Sequence, residues 1–126
     1  SGAVGLTLSI TPTVPFSLNS KVNMMEEHKG IGVNIGSATG TARLASDPDF
    51  KEGDILVAIM TKPADVPAMK LASGIATEIG SITCHAAIVA RELGKPCVVR
   101  TGNATVGVGK IVTVDVKSMK EASISW

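Results

Sequence analysis

The residues of this chain best suited to chemistry stand in one short run, Gly80-Ser81-Ile82-Thr83-Cys84-His85. The apolar stretch Gly74–Ile79 precedes it, and Ala86, Val89, Ala90 and Leu93 follow at the spacing of one helical face. That pattern predicts a helix over Thr83–Leu93 with His85 in its first turn. The first amide groups of a helix lack intrahelical partners, and the helix dipole leaves that end partly positive. A phosphate held there is stabilised by both effects. Neutral imidazole is a competent nucleophile near pH 7, its ordinary pKa being about 6.5. The chemistry the run suits is therefore transient phosphorylation of a ring nitrogen of His85. Gly80 lets the backbone come close to phosphate, Ser81 and Thr83 offer hydroxyl donors, and either hydroxyl could cap the helix.

Other chemistries fit less well. Cys84 beside His85 invites a thiol nucleophile with its base, but adjacent helical residues point about 100° apart. A structural zinc site needs four ligands, and a catalytic one three. Only His28, Cys84, His85 and Cys97 are on offer, without the spacing of ligand pairs, so no metal is expected. Cys97 reads as a small buried apolar residue. His28, in the run Met24-Met25-Glu26-Glu27-His28, reads as part of a solvated helical face.

The elements that must position His85 follow from the hydrophobic pattern. Asp54–Thr61 is a continuous apolar run after Gly53, as in a strand covered on both faces. Pro63 and Pro67 lead into a short helix around Met69–Ala72, with Asp65 at its start. Gly94 and then Pro96 stop the helix that carries His85. Cys97–Val99 and Ile111–Val114 read as further strands. Strand, helix, strand, helix, strand over 54–99 argues for an α/β core with a parallel segment. Before it, the glycine-rich run 30–44 reads as short strands and a bend where backbones approach closely.

The chain has 126 residues, 44% hydrophobic and 18% charged, with a formal net charge of +1. That is one domain with a core. The scattered charge gives no footprint for nucleic acid or an anionic membrane. Three aromatic residues, Phe16, Phe50 and Trp126, are too few for a base-stacking platform. No apolar run is long enough for a membrane span, and the N-terminal stretch lacks the basic start of a signal peptide. Two cysteines fit a reducing, cytoplasmic setting better than a disulfide scaffold. No phosphate-binding loop of the Gly-x-x-x-x-Gly-Lys kind and no cluster of acids for Mg2+ is present, so tight ATP binding by this chain alone is not expected. The opening Ser1-Gly2 suggests a piece cut from something longer.

The string Thr83 to Val99, TCHAAIVARELGKPCVV, resembles the phosphohistidine segment of the swivelling mobile domains of PEP-utilising enzymes, nearest to phosphoenolpyruvate synthase. Pyruvate phosphate dikinase, enzyme I of the sugar phosphotransferase system and rifampicin phosphotransferases carry the same kind of domain. The resemblance extends to Thr61–Lys70, Gly102–Thr105 and Val112–Asp115. It implies a swivelling β/β/α fold over 30–126, with 1–29 an extension, a linker or a part of that fold. It implies that His85 is the phosphoryl-carrying nucleophile, with Thr83 and Cys84 beside it. Thr83 would also be a regulatory phosphorylation site. It implies an ATP-grasp domain, using ATP and Mg2+, that loads the histidine, and a barrel domain where pyruvate is converted to phosphoenolpyruvate. Four positions depart from the family pattern: Ser81 and Arg100 stand where glycine is usual, Ala64 near a usual acid, and no glycine turn follows Asp115. The alternatives are a non-catalytic interaction or regulatory module that keeps the fold, or the carrier domain of another member such as pyruvate phosphate dikinase, enzyme I or a rifampicin phosphotransferase. Arg91, on another helix face, is expected to serve docking or a surface salt bridge. If the domain swings, its joints are expected in Pro12–Lys29 and in the tail after Asp115.

Overall fold

The structure is a computed structural model that describes residues 26–126. The methionine pair at 24–25 and most of the Pro12–Lys29 stretch lie outside the described residues. Nine elements follow in order: β1 (Glu27–Val33), β2 (Gly36–Arg43), β3 (Ile55–Ala58), α1 (Val66–Leu71), β4 (Gly74–Thr77), α2 (His85–Leu93), β5 (Cys97–Val99), β6 (Ile111–Val116) and β7 (Ala122–Ser125). The strands close into a barrel in the order β1-β5-β4-β3-β2-β6-β7. The strip β2-β3-β4-β5 is parallel, as in a βαβ crossover fold, and the remaining contacts are antiparallel. The α/β expectation and its parallel segment are met.

Alternation along the parallel strip divides its side chains between two cores. Ile55, Val57, Ala76 and Val98 point into the barrel with Val112, Val114 and Ile124. Leu56, Ile75, Cys97 and Val99 point outward and are covered by Met69 of α1 and Ala86, Ala87 and Ala90 of α2. Burial on both faces is why Ile55–Ala58 reads as unbroken apolar sequence rather than as an alternating strand. The alanine stripe of α2 lets the helix lie close on the sheet. Glycines allow the tight wall expected of 30–44: a Cβ at Gly30 would lie 2.2 Å from the Val99 carbonyl oxygen, and one at Gly40 2.3 Å from that of Gly53.

Two expectations need correction. Glu27 and His28 are not on a helical face; they pair with Ser125 and Ile124 in β1. The His28 ring stacks on Trp126 at 4.8 Å between centroids. The tail after Asp115 is not a joint either. After a turn at 117–121, β7 completes the barrel between β6 and β1, burying Ala122 and Ile124. Glu26 and Trp126 exchange both backbone hydrogen bonds, at 2.7 and 2.9 Å. A pattern of two apolar residues in Ala-Ser-Ile-Ser is too short to show a strand without its partners.

Candidate phosphoryl site

The carboxyl ends of β3 and β4 lie side by side, and the chain extends their pairing: the Glu78 N–H donates to the Ala58 carbonyl at 3.0 Å and that of Ile79 to Ile59 at 3.1 Å. Ligands of open α/β sheets gather at such strand ends. Here Met60-Thr61 leaves β3, Ile79-Gly80 leaves β4, and α2 begins at His85. Together they line a hollow of about 100 Å³.

His85 is half-buried in this hollow. Its Nδ1 lies 2.8 Å from the Thr61 hydroxyl, the single side-chain hydrogen bond described for the ring. Thr61 is itself only 4% exposed, so its hydroxyl is fixed by the wall it sits in. The ring is thus held through one nitrogen, and among the described residues Nε2 has no hydrogen-bond partner. Sequence reasoning missed Thr61 as a site residue. The available signal was a hydroxyl closing an apolar strand, at the end where ligands gather.

The segment before the helix is built around Gly80. Its φ is +135°, and a Cβ there would lie 2.9 Å from the Cys84 sulfur, so only glycine fits. Ser81 Oγ accepts the Thr83 N–H at 3.3 Å and shares a hydrogen bond with Thr83 Oγ1 at 3.1 Å. The Cys84 N–H donates to the Ser81 carbonyl at 3.1 Å. These bonds overturn the expected capping and the helix start at Thr83. The hydroxyls are engaged within their own turn, the N-cap is Cys84, and no side chain caps the helix. The first-turn amides of α2 therefore stay free of a side-chain acceptor, with Thr83 exposed beside them.

Around the site, the carbonyl of Thr77 receives the Thr101 N–H at 3.0 Å and the Thr101 hydroxyl at 2.9 Å. The Glu78 carboxylate accepts the Thr105 N–H at 3.0 Å and the Thr105 hydroxyl as well. The Gly102–Thr105 segment thus braces the floor under Gly80. Asp65 is the N-cap position of α1, but its carboxylate accepts the Lys62 N–H at 3.0 Å, closing the 3-10 turn Pro63–Asp65 ahead of the helix rather than reaching the histidine loop. Cys84 packs against the outer core, and both cysteines are free thiols. Burial pushes the Cys97 thiol up to about 12. Arg91 is exposed, and among the described residues it makes no salt bridge; its Nη2 donates to the Ile82 carbonyl at 2.6 Å.

Residues 50–119 match the family model of the PEP-utilising enzyme mobile domain. The chain belongs to that family. The matched span of this mobile domain includes Thr61, the Gly80–His85 segment and Arg91. Among similar proteins, a probable phosphoenolpyruvate synthase of Methanothermobacter thermautotrophicus is 56% identical over 81 residues, covering 61% of this chain and 12% of that protein. The phosphoenolpyruvate synthase of Pyrococcus furiosus is 53% identical over 93 residues, covering 69% and 11%. That of Deinococcus radiodurans is 49% identical over 94 residues, covering 71% and 12%. A solved chain described as Enzyme I (nEIt) is 35% identical, with a TM-score of 0.48, covering 64% of this chain and 33% of that one. The mobile domain thus spans about an eighth of the length of these synthases, which carry other domains besides. Among the described residues no helix is long and apolar enough to cross a membrane.

Proposed function

We propose that this mobile domain carries a phosphoryl group on His85 between ATP and pyruvate, as part of a phosphoenolpyruvate synthase-like enzyme that converts ATP, pyruvate and water to AMP, phosphoenolpyruvate and phosphate. The observation that carries the reading is the Thr61–His85 contact. When Nδ1–H donates to the threonine oxygen, the Nε2 lone pair is free to attack. Nε2 bonds to the β-phosphorus of ATP as the P–O bond to AMP breaks, and AMP leaves with that bond's electrons. Water then attacks the outer phosphorus of the pyrophosphoryl group, phosphate leaves, and one phosphoryl group stays on Nε2. In the second transfer the enolate oxygen of pyruvate attacks the same phosphorus and the N–P bond breaks, returning the lone pair to Nε2. Nδ1–H keeps its partner throughout.

The free first-turn amides of α2 and the exposed Thr83 hydroxyl face the phosphoryl oxygens in this reading, and the Gly80–Ser81 turn makes room for them. Cys84 contributes by fixing where the helix begins, and Thr83 is a candidate regulatory phosphorylation site. The described residues contain no group of three or more His, Cys, Asp or Glu side chains able to hold a metal ion. In this reading Mg2+ and ATP belong to an ATP-grasp partner domain, and pyruvate to a barrel domain. A cytoplasmic location belongs to the same proposal and is supported by two free thiols.

The test mixes the chain with labelled ATP and the nucleotide-binding part of a phosphoenolpyruvate synthase. Label should appear on His85, be lost in acid and survive alkali, and His85→Ala should take none while still folding. Label that survives acid but not alkali puts the phosphate on a hydroxyl and ends the proposal. A folded chain that takes no label favours the non-catalytic module.

A further inference from the structure

Arg91 follows His85 by six residues, which puts it about 120° around α2 and about 9 Å along its axis. It therefore does not share the face of the imidazole. A cation in the last turn of a helix is favoured near the carbonyls of that end, yet this side chain runs the other way. Its Nη2 reaches back to the Ile82 carbonyl at 2.6 Å, in the segment ahead of the helix. The other side-chain hydrogen bonds described for Gly80–Cys84 are made within the segment itself, and the helix takes hold of it by backbone only at Cys84, whose carbonyl accepts the Ile88 N–H at 3.0 Å. Arg91 is the one side chain from outside that ties it down, among the described residues.

Stability alone gives a poor account of this contact. Arg91 is exposed, so water competes for both partners and the bond adds little to folding. The bond also carries a full positive charge to the helical end that is already partly positive, which is unfavourable until something negative arrives. A group whose placement improves on arrival of an anion belongs to an anion site. The guanidinium presents five N–H donors in a fixed fork, and this contact uses one nitrogen, so the charge remains available to a neighbour.

We propose that Arg91 is a positioning residue for phosphoryl transfer. It holds the Ser81–Cys84 turn against α2 so that Nε2 of His85 stays open, and it brings positive charge to the segment that leads into the histidine. Its purpose rests on the carrier reading above, but its geometry can be tested without it.

The experiment uses the 126-residue chain with potassium phosphoramidate, a small donor that needs no partner domain. Nε2 attacks phosphorus, the P–N bond breaks and ammonia leaves with a proton. The variants are Arg91→Met, which keeps the aliphatic stem, and Arg91→Lys, which keeps charge and a single donor group. Three readouts are taken: the melting temperature, the amide resonances of Ile82, Thr83 and Cys84 with the His85 ring nitrogens, and the rate of phosphohistidine formation at saturating donor. For Arg91→Met we expect an almost unchanged melting temperature, displaced resonances in the turn, and a rate at least fivefold lower. Arg91→Lys should recover half of the rate or more. A rate for Arg91→Met within twofold of the parent, or no recovery with lysine, overturns the inference. If the parent chain takes no phosphate, the carrier reading falls instead. The turn resonances then decide alone, and unchanged resonances in Arg91→Met refute the positioning role.

Discussion

Replacing Thr61 by valine removes a hydroxyl and leaves shape, branching and burial almost as they were. At 4% exposure the added methyl stays covered, so the fold should lose little. What is lost is the 2.8 Å contact to Nδ1 of His85. A net hydrogen bond is worth about 0.5–1.5 kcal/mol, which corresponds to a factor of about 2 to 13 in a two-state ratio. The two states here are the ring tautomers. With the threonine oxygen accepting, Nδ1–H is favoured and Nε2 is the nucleophile; without it, Nε2–H becomes populated and the nucleophilic fraction falls. Thr61→Val should therefore shift the tautomer ratio toward Nε2–H by a factor in that range. Chemical phosphorylation with phosphoramidate should slow in proportion, and part of the product should form on Nδ1. Thr61→Ser should restore the parent behaviour. The assay is long-range proton–nitrogen correlation of the His85 ring, followed by assignment of the phosphorylated nitrogen. An unchanged tautomer ratio together with product confined to Nε2 would show that the hydroxyl does not select the nitrogen.

Two further outcomes follow from backbone and burial. Cys97 has its thiol pushed up to about 12 by burial, with the nearby Cys84 contributing in the same direction. Its folded pKa thus exceeds its unfolded one, so the stability it contributes is complete below the ordinary thiol range and is lost as pH rises from about 9 to 12. Urea midpoints across that window should fall less steeply for Cys97→Ala than for the parent, and equal slopes would refute the assignment. Arg100 holds φ at +64° in a region that costs a side-chain-bearing residue about 1–2 kcal/mol. Arg100→Gly relieves that strain but adds about 0.5–1 kcal/mol of unfolded-state entropy. The net change in unfolding free energy should be zero to about 1.5 kcal/mol of stabilisation, and a clear loss in a urea melt would mean that the Arg100 side chain makes a contact of its own.

What could be read in the sequence was whatever local pattern decides. Ile55–Ala58 is apolar throughout because helices cover one face and the barrel interior the other. Gly94 ends α2 in a left-handed conformation, with its N–H on the Ala90 and Arg91 carbonyls, as its position after an amphipathic run implied. The family string carries the expectation for His85 and its neighbours, and the family match spans them. Contacts between distant positions stayed hidden. Thr61 and His85 are 24 residues apart and meet only because β3 and β4 are parallel neighbours. The pairing of β1 with β7 joins residues 98 apart. The N-cap is Cys84, neither Ser81 nor Thr83, because the Ser81 hydroxyl is engaged in its own turn, a competition between local hydrogen bonds that residue type alone does not resolve. Arg91 was placed on the correct helix face, but its reach back to Ile82 depends on where the loop lies.

The closed order of the barrel bears on how such a domain can meet its neighbours. A sheet that ends in a free strand offers a row of unpaired N–H and C=O groups, on which another chain can grow an extra strand. Here β7 returns to β1, and every strand has a partner on each side. Recruitment by strand addition is therefore closed off, and so is the edge-to-edge aggregation that exposes many excised fragments to loss. Contacts with any neighbour fall to side chains and loop tips around the strand ends, where binding can be brief. Under the proposed reading, in which a group is received on one surface and surrendered on another, brief contacts of that kind suit the task.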